Sequence, residues 1–328
     1  MRVLIVRLGA FGDIVHTLPL AAALHAAGHE VGWLCEDRWA CLLDGSPAIA
    51  RIHALPRRQL RAGTLRERWA ACRKLHAQLL NVHYEVVLDA QGLAKSALCA
   101  LMSGAPRRYG HAWPRAREGA WLVLQRACPP RAVHVIDQQC ALVETLGLAP
   151  PSAWRFPLPP WEAERAWARA WLAERGLERA WMCNVGAGWP TKVWPPERWS
   201  ELLLRCRDRP RLVLWGTASE REVAERVAAA SGAALAPPTT IPQLAGLLAQ
   251  AAVLVSGDTG PLHLAFALGT PAVGLFGPVP AARNGPRGAR WRNLQAPGAA
   301  WERRERRRVD MAAITVEAVL AAIAEVAA

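Results

Sequence analysis

Residues 252–277 read AVLVSGDTGPLHLAFALGTPAVGLFG. An apolar strand runs into Ser256-Gly257-Asp258-Thr259-Gly260, a helix opens with Pro261, Gly269-Thr270-Pro271 stops it, and a second apolar strand begins. This is a βαβ unit with an acidic, glycine-rich loop at the end of its first strand. In open α/β sheets that loop is where ligands sit. Glycines let the backbone approach a ligand, and the following helix aims N–H groups at an anion. Proline suits the first helical turn, where no N–H is needed. Spacing alone leaves open an ordinary strand–helix turn that binds nothing.

The same alternation extends outward in both directions. Residues 2–6 form an apolar strand, 8–13 a loop, 14–27 an apolar-periodic helix and 31–34 a second strand. Residues 84–89 form another buried strand, followed by Ala90-Gln91-Gly92. The proline-rich segment 147–160 reads as a linker. A helix over 161–175 follows it, then strands at 181–185, 211–215 and 253–256, and an alanine-rich closing helix at 313–328. No repeat of 20–50 residues is visible, which excludes a solenoid. The pattern predicts an α/β protein of two Rossmann-like domains with parallel sheets facing a central cleft. The expected division is 1–152, 153–310, and a terminal helix, 311–328, free to pack back on the first domain.

The chain has 328 residues, 52% of them hydrophobic, enough for two cores. Its opening, MRVLIVRLGAFGD, does not read as a signal peptide, because Arg7 breaks the apolar run. No stretch reaches about 18 uncharged apolar residues, so no membrane span is expected. The eight cysteines show no ligand spacing and read as reduced core thiols in the cytoplasm, with no metal site.

The formal net charge is +13, and between Arg51 and Arg131 there are 15 Lys and Arg against 4 Asp and Glu. Such a stretch attracts phosphates, whether of nucleic acid, an anionic membrane or a phosphorylated glycolipid. Arginine dominates so strongly that only Lys74, Lys95 and Lys192 are lysines. An arginine-rich background explains that choice but not the scarcity of acids in this stretch.

Three further loops carry candidate chemistry. Gly9-Ala10-Phe11-Gly12-Asp13 closes the first strand–helix turn and lacks the G-x-G-x-x-G dinucleotide pattern. Asp13 stands at a helix start, where a carboxylate is also an ordinary cap. Asp89-Ala90-Gln91-Gly92-Leu93-Ala94-Lys95-Ser96 follows another strand, and Lys95 stands out among arginines as a compact point charge. Residues 184–195, NVGAGWPTKVWP, form a strand end, a small-residue loop and a helix entry holding Thr191 and Lys192. Arg57, Arg58, Arg61, Arg66 and Arg68 form one basic run, and Arg107, Arg108, Arg115 and Arg117 a second. A third cluster, Arg303, Arg304, Arg306, Arg307 and Arg308, reads as a solvated helix face or a membrane contact.

The string G-D-T-G-P-L-H-L-A-x-A-L-G-T-P followed by F-G-P resembles the nucleotide-sugar loop of glycosyltransferase family 9, the bacterial heptosyltransferases. The segment Ala282-Arg283-Asn284-Gly285-Pro286 also fits that pattern, although Val279-Pro280 replace its usual Thr-Asp. The opening R-L-G-x-x-G-D-I-V-H-T-L-P is similar to the family's, and D-x-Q-G-L-x-K-S resembles its heptosyltransferase I branch. The resemblance covers nearly the whole chain and implies the GT-B architecture.

It also implies roles for individual residues. Asp258, Thr259, Gly260, His263 and Thr191 would bind an ADP-heptose donor, Lys192 would contact its phosphate, and Glu222, or Glu220 close by, its ribose. Asp13 would be the general base. Arg57, Arg58, Arg61, Gln91, Lys95 and Arg117 would meet a Kdo2-lipid A type acceptor. The implied enzyme is an inverting transferase of lipopolysaccharide synthesis needing no cofactor or metal, moving heptose to the Kdo and inner-core region of lipid A or, as the alternative, heptose or another sugar to a different core acceptor. It would be cytoplasmic and peripheral on the anionic inner leaflet of a Gram-negative inner membrane.

Other classes fit less well. A dehydrogenase needs the missing dinucleotide fingerprint, and an epimerase has no use for a basic acceptor domain. A nucleic-acid binder would show a recognisable module, and none appears.

Overall fold

The computed structural model describes residues 1–299 and 309–327; the cluster Arg303–Arg308 lies outside them. The chain forms two compact units, Met1–Pro160 and Trp161–Ala328. The division falls at the end of the proline-rich segment rather than at residue 152.

The first unit runs β1 (Arg2–Val6), α1 (Phe11–Ala26), β2 (Glu30–Glu36), β3 (Arg51–Leu55), α2 (Arg57–Ala62), α3 (Leu65–Leu80), β4 (Val86–Asp89), α4 (Ala94–Met102), β5 (Arg107–His111), β6 (Arg126–Cys128) and α5 (Val135–Cys140). The second runs α6 (Glu162–Ala173), β7 (Trp181–Asn184), α7 (Pro196–Arg205), β8 (Arg211–Leu214), α8 (Ala218–Ser231), β9 (Ala234–Leu235), α9 (Ile241–Gln250), β10 (Val253–Gly257), α10 (Gly260–Leu268), β11 (Ala272–Phe276), α11 (Ala281–Asn284), β12 (Trp291–Gln295) and α12 (Val316–Ala327).

Each unit holds a six-stranded sheet, ordered β3-β2-β1-β4-β5-β6 and β12-β11-β10-β7-β8-β9. Every strand pairing in both sheets is parallel. Central strands such as β1 (RVLIV) and β11 (AVGLF) are continuous apolar runs because helices cover both faces. The expected α/β class of two Rossmann-like units, the composition of the GT-B fold, is what the chain adopts. In each sheet the strand order reverses at one point, between β1 and β4 and between β7 and β10. Adjacent strands there send their following loops in opposite directions, which opens a crevice at their C-terminal ends. Val6 pairs with Asp89 and Asn184 with Ser256, so the loops after these four strands are neighbours.

Local chemistry shifts some expected boundaries. Helix α1 starts at Phe11, three residues before Ile14, because the Asp13 carboxylate accepts the Ala10 N–H at 3.2 Å and closes the first turn. The closing helix starts at Val316; Met311–Ala313 instead make a 3-10 turn whose Ala312 N–H is capped by Asp310 at 2.9 Å. The sequence left that helix free to pack on the first domain. In the structure its Val316, Val319, Ala322, Ile323 and Val326 enter the second unit's core with Trp194, Trp199 and Leu203. Among the described residues no helix is long and apolar enough to cross a membrane.

Gly32 on β2 marks a place where the first unit admits no side chain. A Cβ there would meet the buried Tyr84 hydroxyl, which shares a 2.8 Å hydrogen bond with His53 Nε2. We expect Gly32→Ala to displace that hydroxyl and destabilise the protein by about 1–3 kcal/mol, read by urea unfolding. Unchanged stability would contradict this packing.

Candidate functional site

The loops at the two reversal points gather most of the polar residues singled out by sequence. In the second unit Asp258 leaves β10 with its backbone N–H still bonded to Leu275 O at 3.2 Å. Its buried carboxylate accepts three side chains. Lys192 Nζ lies 2.5 Å from Oδ2, Asn284 Nδ2 donates to Oδ1 at 2.7 Å, and His263 Nε2 lies 3.1 Å from Oδ1. Burial alone would raise the pKa of this carboxyl. The His263 hydrogen bond and the Lys192 charge outweigh it and hold the group well below the usual carboxylate range. Asp258 is therefore a buried anion fully engaged with protein groups.

Lys192 is fixed from several sides. Its Nζ also donates to Asp258 O at 3.2 Å, and it lies 5.2 Å from the Trp189 ring centroid. Two residues on, Trp194 is buried edge-on against Trp199 and donates Nε1–H to Ile314 O at 2.9 Å. The short 3-10 turn Pro190–Lys192 is thus anchored before α7 begins. Thr191 borders a hollow of about 520 Å³ with Pro190, Val193, Asp310 and Met311.

Asn184, at the end of β7, ties the two reversal loops together. Its amide Nδ2 reaches Gly186 O at 3.1 Å and both Ser256 Oγ and Thr259 Oγ1 at 3.2 Å. Thr259 is the N-cap of α10, and Gly260 and Pro261 are its first residues. Backbone N–H groups and the positive end of the helix dipole therefore lie one residue from Asp258, the arrangement that receives a phosphate.

Of the two candidate glutamates, both on α8, Glu220 is the one that reaches these loops. Its Oε2 accepts Gly216 N and Thr217 N, both at 2.9 Å, and the carboxylate occupies the space that a Cβ on Gly186 would need. Glu222, preferred from sequence, is exposed two residues further along the helix. The two positions differ by about 200° around a 3.6-residue helix.

In the first unit Arg7, almost fully buried, is the connector. Its guanidinium donates to Ala90 O at 2.7 Å and pairs with Asp13 Oδ2 at 2.5 Å. Asp13 thus both caps α1 and forms an ion pair, and its side chain keeps 26% exposure. Gln91 Oε1 accepts Leu8 N at 2.8 Å, which binds the loop after β4 to the loop after β1. Asp89 shapes that second loop by accepting Gln91 N, Gly92 N and Ser96 Oγ, each at 2.9 Å. Burial pushes the Asp89 carboxyl upward despite those bonds.

The basic candidates divide. Glu36, buried at the end of β2, holds Arg38 NH2 at 2.8 Å, Arg57 Nε at 3.1 Å and Lys95 Nζ at 3.7 Å. Arg58 borders the same hollow as Arg38 and Arg57. Three cations around one carboxylate leave a local excess of positive charge. Arg61 and Arg117 are exposed outside this group. Among the described residues no three His, Cys, Asp or Glu side chains gather to hold a metal ion.

Sequence reasoning did not single out Arg7, Glu36, Arg38 or Asn184 as site residues. The charge of Arg7 inside an otherwise apolar opening run was the one visible signal.

The chain is similar to known proteins over most of its length. Residues 72–313 match the model of glycosyltransferase family 9 (heptosyltransferase). The chain is 35% identical over 289 residues to lipopolysaccharide heptosyltransferase 1 of Pseudomonas aeruginosa, covering 85% of this chain and 79% of that one. It is 30% identical over 287 residues to the Escherichia coli K12 protein of the same name, covering 85% and 88%. The structure of E. coli heptosyltransferase WaaC with ADP superposes with a TM-score of 0.82 at 27% identity, covering 99% of both chains.

The depressed pKa of Asp258 carries a stability prediction. A carboxylate with a lowered folded pKa contributes stability fully present above its unfolded value, about pH 4, and lost as pH falls through the folded value. The stability gap between wild type and Asp258→Asn should be constant from about pH 5 to 8 and shrink below about pH 4. Urea unfolding across that range reads it. A gap that widened in acid would contradict the ionised, paired Asp258.

Proposed function

Since the chain belongs to glycosyltransferase family 9, we propose that it moves heptose from ADP-heptose to the Kdo region of a Kdo2-lipid A type acceptor, at an anionic membrane surface, in lipopolysaccharide core synthesis. The observation that carries this reading is the Lys192–Asp258 pair beside the N-terminus of α10 at the strand reversal. That is a site for a diphosphate, and the superposable WaaC structure contains ADP.

The donor's diphosphate faces Lys192 and the N-terminus of α10 at Thr259 and Gly260. Asp258 and His263 hold that assembly, and Thr191 lies beside it. Glu220, rather than Glu222, accepts the ribose hydroxyls; its carboxylate already leans over Gly186. In the first unit the cations held by Glu36, with Arg58, Arg61 and Arg117 around them, receive the acceptor's carboxylates or phosphates. Arginine suits this task because it binds such groups through paired hydrogen bonds.

The reaction is a single in-line displacement with inversion. An acceptor hydroxyl oxygen bonds to the anomeric carbon as the bond from that carbon to the ADP oxygen breaks. A hydroxyl is hardly ionised at neutral pH, so Asp13 takes its proton during attack. Arg7, paired with Asp13, fixes the position of this carboxylate beside the loop. Negative charge growing on the departing ADP is offset by Lys192 and the helix N-terminus.

The test is ADP release from ADP-heptose with and without Kdo2-lipid A, for wild type and Asp13→Asn. Release by wild type should require the acceptor. Asp13→Asn should keep ADP-heptose affinity and lose about 10²–10⁴-fold in turnover. Acceptor-independent release would overturn the transferase reading. Near-normal turnover in the variant would remove Asp13 from the base role.

A further inference from the structure

Helix α4, AKSALCALM, is apolar on nearly every side except at Lys95. A helix of that kind is normally buried all round. Here Cys99 and Ala100 enter the first unit's core and Ala97 packs with Ala116 and Ala120, while Leu98 and Leu101 point outward at 58% and 46% exposure. The flanking elements repeat the pattern. Helix α3 packs beside α4 and exposes Leu65 at 83% and Trp69 at 62%, one turn apart. The 3-10 turn Ala120–Val123, on the other flank of α4, exposes Trp121 and Leu122. Among the described residues, ten of the twelve exposed large apolar side chains lie in the first unit, and these six lie on α3, α4 and residues 120–123, with α4 packed against both of the others. Exposed apolar side chains gathered on neighbouring elements mark an interaction surface.

The charges on the same layer identify what covers it. Helices α3 and α4 carry Arg66, Arg68, Arg73, Lys74 and Lys95 against the single acid Glu67. Glu67 is exposed but engaged by its own helix cap, accepting Thr64 N at 2.7 Å and Thr64 Oγ1 at 2.9 Å. Arg73 lies over the Trp69 ring at 4.6 Å. Exposed leucine and tryptophan on helices rich in Lys and Arg are the composition of a surface seated at the headgroup boundary of an anionic bilayer. A second copy would bring the same excess of positive charge to the same patch, which opposes self-pairing.

We propose that the layer formed by α3, α4 and residues 120–123 docks on an anionic lipid bilayer. Leu65, Leu98, Leu101 and Leu122 enter the interface, and Arg66, Arg68, Arg73 and Lys74 of α3 meet lipid phosphates. The proposal rests on the glycolipid acceptor reading for its purpose, since it brings the first unit to the surface where such an acceptor resides.

The experiment is co-sedimentation of the full chain with vesicles of phosphatidylcholine alone or mixed with phosphatidylglycerol, for wild type, Trp69→Ser and the pair Leu98→Ser with Leu101→Ser. ADP affinity and melting temperature are measured on the same samples. Wild type should bind the phosphatidylglycerol vesicles, and more weakly as salt rises. Both variants should lose at least about tenfold in partitioning, with ADP affinity and melting temperature unchanged. If the serine pair fails to fold, Trp69→Ser alone decides. Wild type that ignores these vesicles, or variants that bind them as wild type does, would overturn the proposal. So would concentration-dependent dimerisation that the variants abolish in the absence of vesicle binding. Vesicle binding in a protein that releases no ADP would sustain the docking surface and count against the transferase reading alone.

Discussion

The second unit's candidate site depends on one buried anion. Asp258 leaves β10 where the strand order reverses, and its carboxylate gathers Lys192, Asn284 and His263. Leaving any such charge unpaired inside a protein costs several kcal/mol, so its three partners are constrained in turn. Lys192 is drawn next to the N-terminus of α10, where it adds a full charge to the helix's partial one. Asn284 brings α11 to the same point. The glycines nearby have a steric reason: a Cβ on Gly257 would crowd Lys192 O, and one on Gly186 would meet the Glu220 carboxylate.

The first unit solves the same geometric problem with the charges reversed. Its connector is a cation, Arg7, just after the central strand β1, joined to Asp13 in the first turn of α1 and to Ala90 O in the loop after β4. On the proposed function, the second unit presents a held lysine to an anionic leaving group and the first presents a held carboxylate to a hydroxyl. Glu36 then assembles Arg38, Arg57 and Lys95 from three separate segments of chain. Three cations at such distances would repel one another without it.

Much of this was legible in the sequence, for reasons that can be stated. Continuous apolar runs separated by helical periodicity gave the two parallel sheets. Lys192 and Lys95 stood out because arginine is used almost everywhere else. Asp258 stood out because it sits among glycines before a Pro-initiated helix. The partners of these residues were less visible, because they come from far along the chain. Asn184 lies 72 residues from Ser256, and Lys192 lies 66 from Asp258. Glu36 reads as an ordinary surface acid until folding buries it beneath three cations. The choice between Glu220 and Glu222 did have a local signal. Thr217-Ala218-Ser219-Glu220 is a capping-box pattern, which assigns Glu220 to the helix start and turns Glu222 away.

On the proposed function, Asp258 acts on the donor through Lys192. Calorimetric titration of ADP into wild type, Lys192→Ala, Asp258→Asn and the double variant tests it directly. Losing a charge-assisted contact worth about 1.5–3 kcal/mol should weaken ADP binding roughly 10- to 100-fold in Lys192→Ala. If the account is right, the double variant binds ADP no more weakly than Lys192→Ala alone, because the two residues form one unit. Fully additive losses would show that Asp258 serves the nucleotide independently of Lys192 and would contradict the account.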